Sequence, residues 1–271
     1  MTLKRVAVAL GLIAFLAVGG AFAGSALAED FVSVETENGE QGFLYDTPDK
    51  PVASLILFAG GHGWLNLSGT DMAWGSTNFV VRTRDMFVAQ GFQVAVVDTP
   101  SYKKKINAKF RMSGEHWTDI RAVAQWLRKK ADVPVWAVGT SMGTFSSANA
   151  AIRGAGIIDG LVMTSSITRS AESWNIYGDY PSGVIDMDLG GVTVPVLVMS
   201  HKNDGCDKTP AADAEKLAAA FSGAPKADVK FLDGGWPAKS SPCNALSEHG
   251  YYGIEDQAVR AVTAFIKASL K

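Results

Sequence analysis

The sequence has no excess of basic residues: 25 Lys and Arg stand against 27 Asp and Glu, a formal net charge of −2. A nucleic-acid binder usually presents a positive face to phosphate, so this balance argues against one. G-x-G-x-x-G is absent, and so is G-x-x-x-x-G-K-[ST], which removes the usual sequence basis for a nucleotide-phosphate loop. There are only four histidines and two cysteines, with no C-x-x-C and no H-E-x-x-H, so no metal-ligand spacing stands out and no metal or cofactor is expected. Beyond the N-terminus there is no other long apolar run, no internal repeat and no low-complexity tract. A hydrophobic content of 47% argues against disorder.

The N-terminus reads as a segment outside the fold. Lys4 and Arg5 precede an apolar run from Val6 to Val18, and Ala26-Leu27-Ala28 is a small-x-small site followed by Glu29-Asp30. This is the three-part plan of a secretory signal peptide, residues 1–28. The rival is an uncleaved anchor, since the apolar stretch to Ala28 nearly matches a bilayer; the weak hydrophobicity of its Gly and Ala favours cleavage. No cysteine follows the apolar run, which argues against a lipid anchor. Residues 29–271 are then a single domain in a periplasmic or secreted protein, with no membrane contact after cleavage and no nucleic-acid partner. An oxidising compartment favours a Cys206–Cys243 disulfide over two free buried thiols.

Along the chain, Phe31–Glu35 and Gly42–Tyr45 flank Asn38-Gly39 and predict an opening hairpin. Apolar strands are expected at Ala53–Phe58, Phe92–Val97, Pro134–Val138, Gly160–Met163, Val194–Met199 and Asp228–Leu232. Helices are expected at Asn78–Gln90, from Ser113 to about Lys130, and at Thr144–Arg153, Pro210–Phe221 and Ile254–Leu270. Strands that are apolar on both faces and alternate with helices predict a doubly wound, mostly parallel α/β sheet with an antiparallel start. The segment between Met163 and Val194 is too short for a large helical lid domain.

Between the strand ending at Val138 and the helix from Thr144 stands Gly139-Thr140-Ser141-Met142-Gly143, a G-x-S-x-G. A strand–turn–helix context is what a nucleophile elbow needs, because the sharp turn lifts Oγ clear of the sheet. The bland alternative is a helix-capping serine. A serine hydroxyl needs a base and the base an orienting acid, in the chain order Ser, Asp/Glu, His. Of the two histidines after Ser141, His249 lies between the last strand and the last helix, where it can swing over Ser141; His201 reads as structural. Asp204 follows the strand Val194–Met199 and is the preferred acid, with Asp207 its close competitor. A Cys206–Cys243 bridge would join the acid loop to the histidine loop. The oxyanion donors would be the Met142 N–H and an N–H of Gly61 or His62 in Ala59-Gly60-Gly61-His62-Gly63.

With the Gly60–Gly63 loop, the elbow Gly139–Gly143, Asp204 and His249, the chain resembles the α/β-hydrolase family over essentially all of residues 29–271. One departure is Ala59-Gly-Gly-His-Gly63 where many members have His-Gly-Gly-Gly, which leaves the second oxyanion donor open. The resemblance implies an α/β-hydrolase fold with little or no lid and acyl-transfer chemistry through a Ser141–Asp204–His249 triad. The substrate would be a small-molecule or polymer-end ester. A peptidase or amidase would use the same triad, and a non-catalytic binding protein on the same scaffold is the rival from another class. Trp64, Trp74, Trp174 and Trp236 fall in loops and are candidates for a substrate pocket or for packing on the sheet. Lys103-Lys104-Lys105 reads as a solvated loop, His116 as structural, and Arg82, Arg84 and Arg111 as possible carboxylate binders without a placement.

Overall fold

The computed structural model describes residues 29–270; the proposed signal segment 1–28 lies outside the described residues. In chain order the elements are β1 (Asp30–Thr36), β2 (Gly39–Asp46), β3 (Ala53–Phe58), β4 (Leu67–Ser68), β5 (Asp71–Met72), α1 (Phe79–Arg82), α2 (Arg84–Ala89), β6 (Phe92–Val97), α3 (Ala108–Arg111) and α4 (Gly114–Lys130). Then follow β7 (Val135–Thr140), α5 (Gly143–Arg153), β8 (Gly160–Thr164), β9 (Val196–His201), α6 (Ala214–Ala219), β10 (Ala227–Leu232) and α7 (Glu255–Ser269).

Eight strands form one sheet in the order β1-β2-β6-β3-β7-β8-β9-β10, and β4 pairs with β5 in a separate small ladder. The β1–β2 hairpin joins β6 antiparallel, while β6, β3, β7, β8, β9 and β10 run parallel. Both faces are covered, which explains the unbroken apolar runs. In β3, Ile56 and Phe58 pack in one core with α4 residues Ile120 and Val123, whereas Leu55 and Leu57 pack in a second core with α7 residues Val259 and Val262. Residues alternate faces along a strand, so each face needs its own helices. The chain runs from β3 to β6 on one side and then to β7 on the other. Strand order therefore reverses between β3 and β7, and the loops leaving their C-terminal ends meet there, where open α/β sheets place their ligands.

Local differences from the sequence expectation have physical causes. The segment Asn78–Gln90 is two short helices, because Thr83 leaves helical geometry and its hydroxyl donates to the Phe79 carbonyl at 2.7 Å. The segment from Pro210 opens as a 3₁₀ turn, Ala211–Asp213, and becomes α6 only at Ala214. β9 starts at Val196, after Pro195, and extends to His201. Ser113, a weak cap by sequence, accepts the His116 N–H at 3.1 Å and caps α4. Between β8 and β9 the only helical pieces are 3₁₀ turns at Gly183–Asp186 and Leu189–Gly191, so no helical lid stands there. Among the described residues no helix is long and apolar enough to cross a membrane.

Candidate active site

Ser141 stands at the turn from β7 into α5 with φ +53°, a left-handed conformation that costs a non-glycine residue energy. The turn is held from both sides. The Ser141 N–H donates to the Thr164 carbonyl at 3.0 Å, and the Ser141 carbonyl accepts the Thr144 hydroxyl at 2.6 Å. Both flanking glycines are required by close packing. A Cβ on Gly139 would sit 2.4 Å from the Gly143 carbonyl oxygen, and one on Gly143 would sit 2.1 Å from that of Phe58. Met142 forms the first, N-capping position of α5.

Asp204, past the end of β9, meets His249, which lies in the 3₁₀ turn Glu248–Gly250 between β10 and α7. Asp204 Oδ2 is 3.0 Å from His249 Nδ1, and the two side chains are 0% and 5% exposed. A carboxylate can only accept, so this contact places the proton on Nδ1 and leaves Nε2 as an acceptor. The other Asp204 oxygen, Oδ1, accepts the Cys206 N–H at 2.9 Å. Asp207, the competing acid, is 73% exposed and pairs with Lys208 at 2.6 Å instead. Two residues that sequence reasoning passed over, Thr209 and Ser165, bond the pair directly, and a third, Tyr251, lies 3.2 Å from the Ser165 hydroxyl. The Thr209 hydroxyl donates to Asp204 Oδ2 at 2.8 Å and lies 3.0 Å from His249 Nδ1. The Ser165 hydroxyl donates to the His249 carbonyl at 2.7 Å, and the buried Tyr251 hydroxyl donates to the Met199 carbonyl at 2.9 Å. Single Ser, Thr and Tyr residues carry no spacing signal that could have singled them out.

Cys206 and Cys243 form a disulfide that ties the Asp204 loop to the segment leading into His249. Among the described residues the one group of three side chains with metal-ligand character is Cys206, Asp207 and Cys243, and its two sulfurs are bonded to each other.

The loop after β3 abuts the elbow: a Cβ on Gly60 would be 3.0 Å from Ser141 Cβ. Gly61 turns at φ +58°, and the N–H groups of Gly61 and His62 donate to no other group of the described residues. The exposed His62 ring accepts the Trp64 N–H at Nδ1, 3.1 Å away. Partial burial, then Lys105 and Arg111, lower its pKa.

Ser141, His249, Gly61 and His62 line one cavity of ≈ 390 Å³ together with Trp64 and Trp74. No Asp, Glu, Lys or Arg contributes to its wall. The Trp64 and Trp74 rings lie 6.3 Å apart, tilted by 30°, and Trp74 is 54% exposed at the rim. The other candidates fall elsewhere. Trp174 packs on the core, and Trp236 is 62% exposed against the Tyr252 ring. His201 bonds the Gly234 carbonyl at 2.8 Å, and buried His116 bonds the Ser146 hydroxyl at 2.9 Å. Arg82 and Arg84 are taken up by Glu255 and Glu29, and Lys103 lies 4.0 Å from Glu115. Arg111 is buried and binds no carboxylate among the described residues.

The chain has the α/β-hydrolase fold. Among solved structures it is similar to a dienelactone hydrolase from Anabaena variabilis, with a TM-score of 0.59 and 12% identity over 90% of this chain and 99% of that one. Est1E from Butyrivibrio proteoclasticus with bound ferulic acid matches at a TM-score of 0.61 and 14% identity, over 88% and 99% of the two chains. An acylaminoacyl peptidase from Pyrococcus horikoshii matches at 0.62 and 13%, over 90% of this chain and 42% of that one. No family model matches the sequence, and no curated protein matches it.

Proposed function

We propose that residues 29–271 form a serine hydrolase that cleaves carboxylic esters through an acyl-enzyme on Ser141. The observation that carries this reading is that His249, backed by the buried Asp204 carboxylate at 3.0 Å, lines the same cavity as a strained Ser141. The fold's likeness to esterases and to a dienelactone hydrolase supports it.

In this mechanism His249 Nε2 takes the Ser141 proton as Oγ attacks the ester carbonyl. The new C–O bond pushes an electron pair onto the carbonyl oxygen. The Met142 N–H and an N–H of Gly61 or His62 receive that charge. As the tetrahedral intermediate collapses, His249 returns the proton to the departing alcohol, and water then repeats the sequence on the acyl-enzyme. Asp204 holds the Nδ1–H tautomer throughout and stabilises the imidazolium. The uncharged cavity wall favours a neutral ester, either a small molecule or a polymer end, over an anionic one. The signal-like pattern of residues 1–28 and the Cys206–Cys243 bridge together support a periplasmic or secreted enzyme.

An amide substrate is the second reading, favoured by the similarity to an acylaminoacyl peptidase. Hydrolysis of short and medium p-nitrophenyl esters and of matched anilides by the protein and by Ser141→Ala tests both. Ester turnover should fall by at least about 10³-fold in the variant. Equal rates in both proteins would overturn the reading, and turnover of anilides alone would move it to amides.

A further inference from the structure

Arg111, at the end of α3, is 1% exposed and forms no ion pair with any carboxylate of the described residues. Burial pushes its pKa down to about 9, which leaves it charged at neutral pH. A buried cation without a counter-charge is costly, and a fold retains one only where its bonds are needed. Its Nε has no partner at all. Asp98 borders the same small cavity but gives its oxygens to the N–H groups of Leu65, Leu67 and Thr99. His116 on the other side is held neutral, its pKa pushed down to about 3 by burial and by Arg111.

The bonds that Arg111 does make converge on the loop after β3. Nη2 donates to the Ala59 carbonyl at 3.0 Å and to the Gly61 carbonyl at 3.3 Å, and Nη1 donates to the Ser146 hydroxyl on α5 at 2.7 Å. The loop's other two carbonyls are also tied inward: that of Gly60 accepts the Gly63 N–H at 3.2 Å, and that of His62 accepts the Ile106 N–H at 3.0 Å. In a trans peptide the N–H points opposite to the C=O. Drawing the Gly61 carbonyl onto Arg111 therefore turns the His62 N–H away from the guanidinium, and the Gly60 carbonyl bond turns the Gly61 N–H away from the Gly63 N–H. The position of Gly63 against this group is equally fixed, since a Cβ there would lie 2.7 Å from Nη2.

We propose that Arg111 is a positioning residue for the oxyanion loop: its guanidinium locks the Ala59 and Gly61 carbonyls to α5, so that the loop's free N–H groups face the charge that develops beside Ser141. The proposal rests on the serine-hydrolase reading. It also accounts for an unpaired buried cation, because the transient oxyanion is the negative charge that forms nearest the loop it holds. The same three bonds join the two sources of oxyanion donors, the β3 loop and the start of α5, into one unit.

The test compares the full protein with Arg111→Lys, Arg111→Met and Ser146→Ala, with folding checked by circular dichroism and thermal melting. Steady-state hydrolysis of p-nitrophenyl butyrate gives kcat and KM, and inhibition by phenylboronic acid, which forms a tetrahedral anionic adduct on an active serine, reports on the oxyanion site. Removing one oxyanion donor costs about 10²–10³-fold in kcat, and Arg111→Met should lose about 10²-fold with KM within about threefold. Boronate affinity should fall in parallel. Arg111→Lys keeps the charge but cannot span both carbonyls and Ser146, so it should recover only part of the loss. Should the Arg111 variants fail to fold, Ser146→Ala removes the Nη1 anchor, together with the His116 contact, while leaving both loop carbonyl bonds, and should lower kcat and boronate affinity several-fold at unchanged KM. Folded variants with kcat and boronate affinity within twofold of the parent would overturn the proposal, as would a loss seen in KM alone. A parent protein that neither turns over ester nor binds boronate would overturn the hydrolase reading, and this proposal with it.

Discussion

Breaking the Cys206–Cys243 bridge should weaken the fold and the site by separable amounts. The bridge closes a chain separation of 37 residues. In the chain-entropy estimate, releasing a loop of that length costs about 4 kcal/mol of stability. For a domain of this size each kcal/mol shifts the melting temperature by about 2–4 °C, so a Cys206→Ala/Cys243→Ala variant should melt about 8–16 °C lower. The catalytic effect is local. The Cys206 N–H holds Asp204 Oδ1 at 2.9 Å, and Cys243 lines the cavity upstream of His249. Loosening both loops disorders the acid–base pair, and small misplacements of such groups cost about tenfold or more in rate. Calorimetry and ester hydrolysis, measured well below both melting temperatures, separate the two effects. A shift under about 2 °C would refute the entropic argument. A kcat within twofold of the parent would refute the claim that the bridge organises Asp204 and His249.

Three further outcomes follow from named contacts. Thr209→Val removes a hydrogen bond to the Asp204 carboxylate, which is worth about 1.5–3 kcal/mol for a charged acceptor; kcat/KM should fall at least about tenfold and recover in Thr209→Ser, as steady-state kinetics will show. His116 is held neutral in the fold, with its pKa at about 3, whereas in the unfolded chain it titrates near its ordinary 6.5. Below pH 6.5 the unfolded state gains a proton that the folded state refuses, so this contribution to stability is present at neutral pH and is lost as pH falls toward 3. Denaturant unfolding should lose about 2 kcal/mol between pH 7 and pH 5 from this group, and His116→Gln should flatten that slope. Trp74→Ala should raise KM for bulky aromatic esters while leaving p-nitrophenyl acetate turnover and the melting temperature unchanged, because Trp74 is an exposed rim residue.

The sheet was legible because its central strands are apolar on both faces and are punctuated by glycine and proline at their ends. Ser141, Asp204 and His249 could be singled out for a different reason. Few histidines follow Ser141, and chain order restricts which acid can serve. The choice between Asp204 and Asp207 turned on direction, which spacing does not carry: one carboxylate points into the fold toward His249 and the other to solvent and Lys208. Arg111 was illegible because its partners Ala59, Gly61 and Ser146 are far from it in sequence, and because arginine is ordinarily an exposed residue. The break at Thr83 and the 3₁₀ start after Pro210 are backbone competitions that an apolar pattern does not record.

The most direct test of the central claim is covalent labelling of the protein with a fluorophosphonate, read by intact mass and peptide mapping. The account predicts one adduct per chain, on Ser141, with labelling slowed by orders of magnitude in His249→Ala and abolished in Ser141→Ala. An adduct on another residue, or equal labelling of the parent and the Ser141→Ala variant, would contradict it.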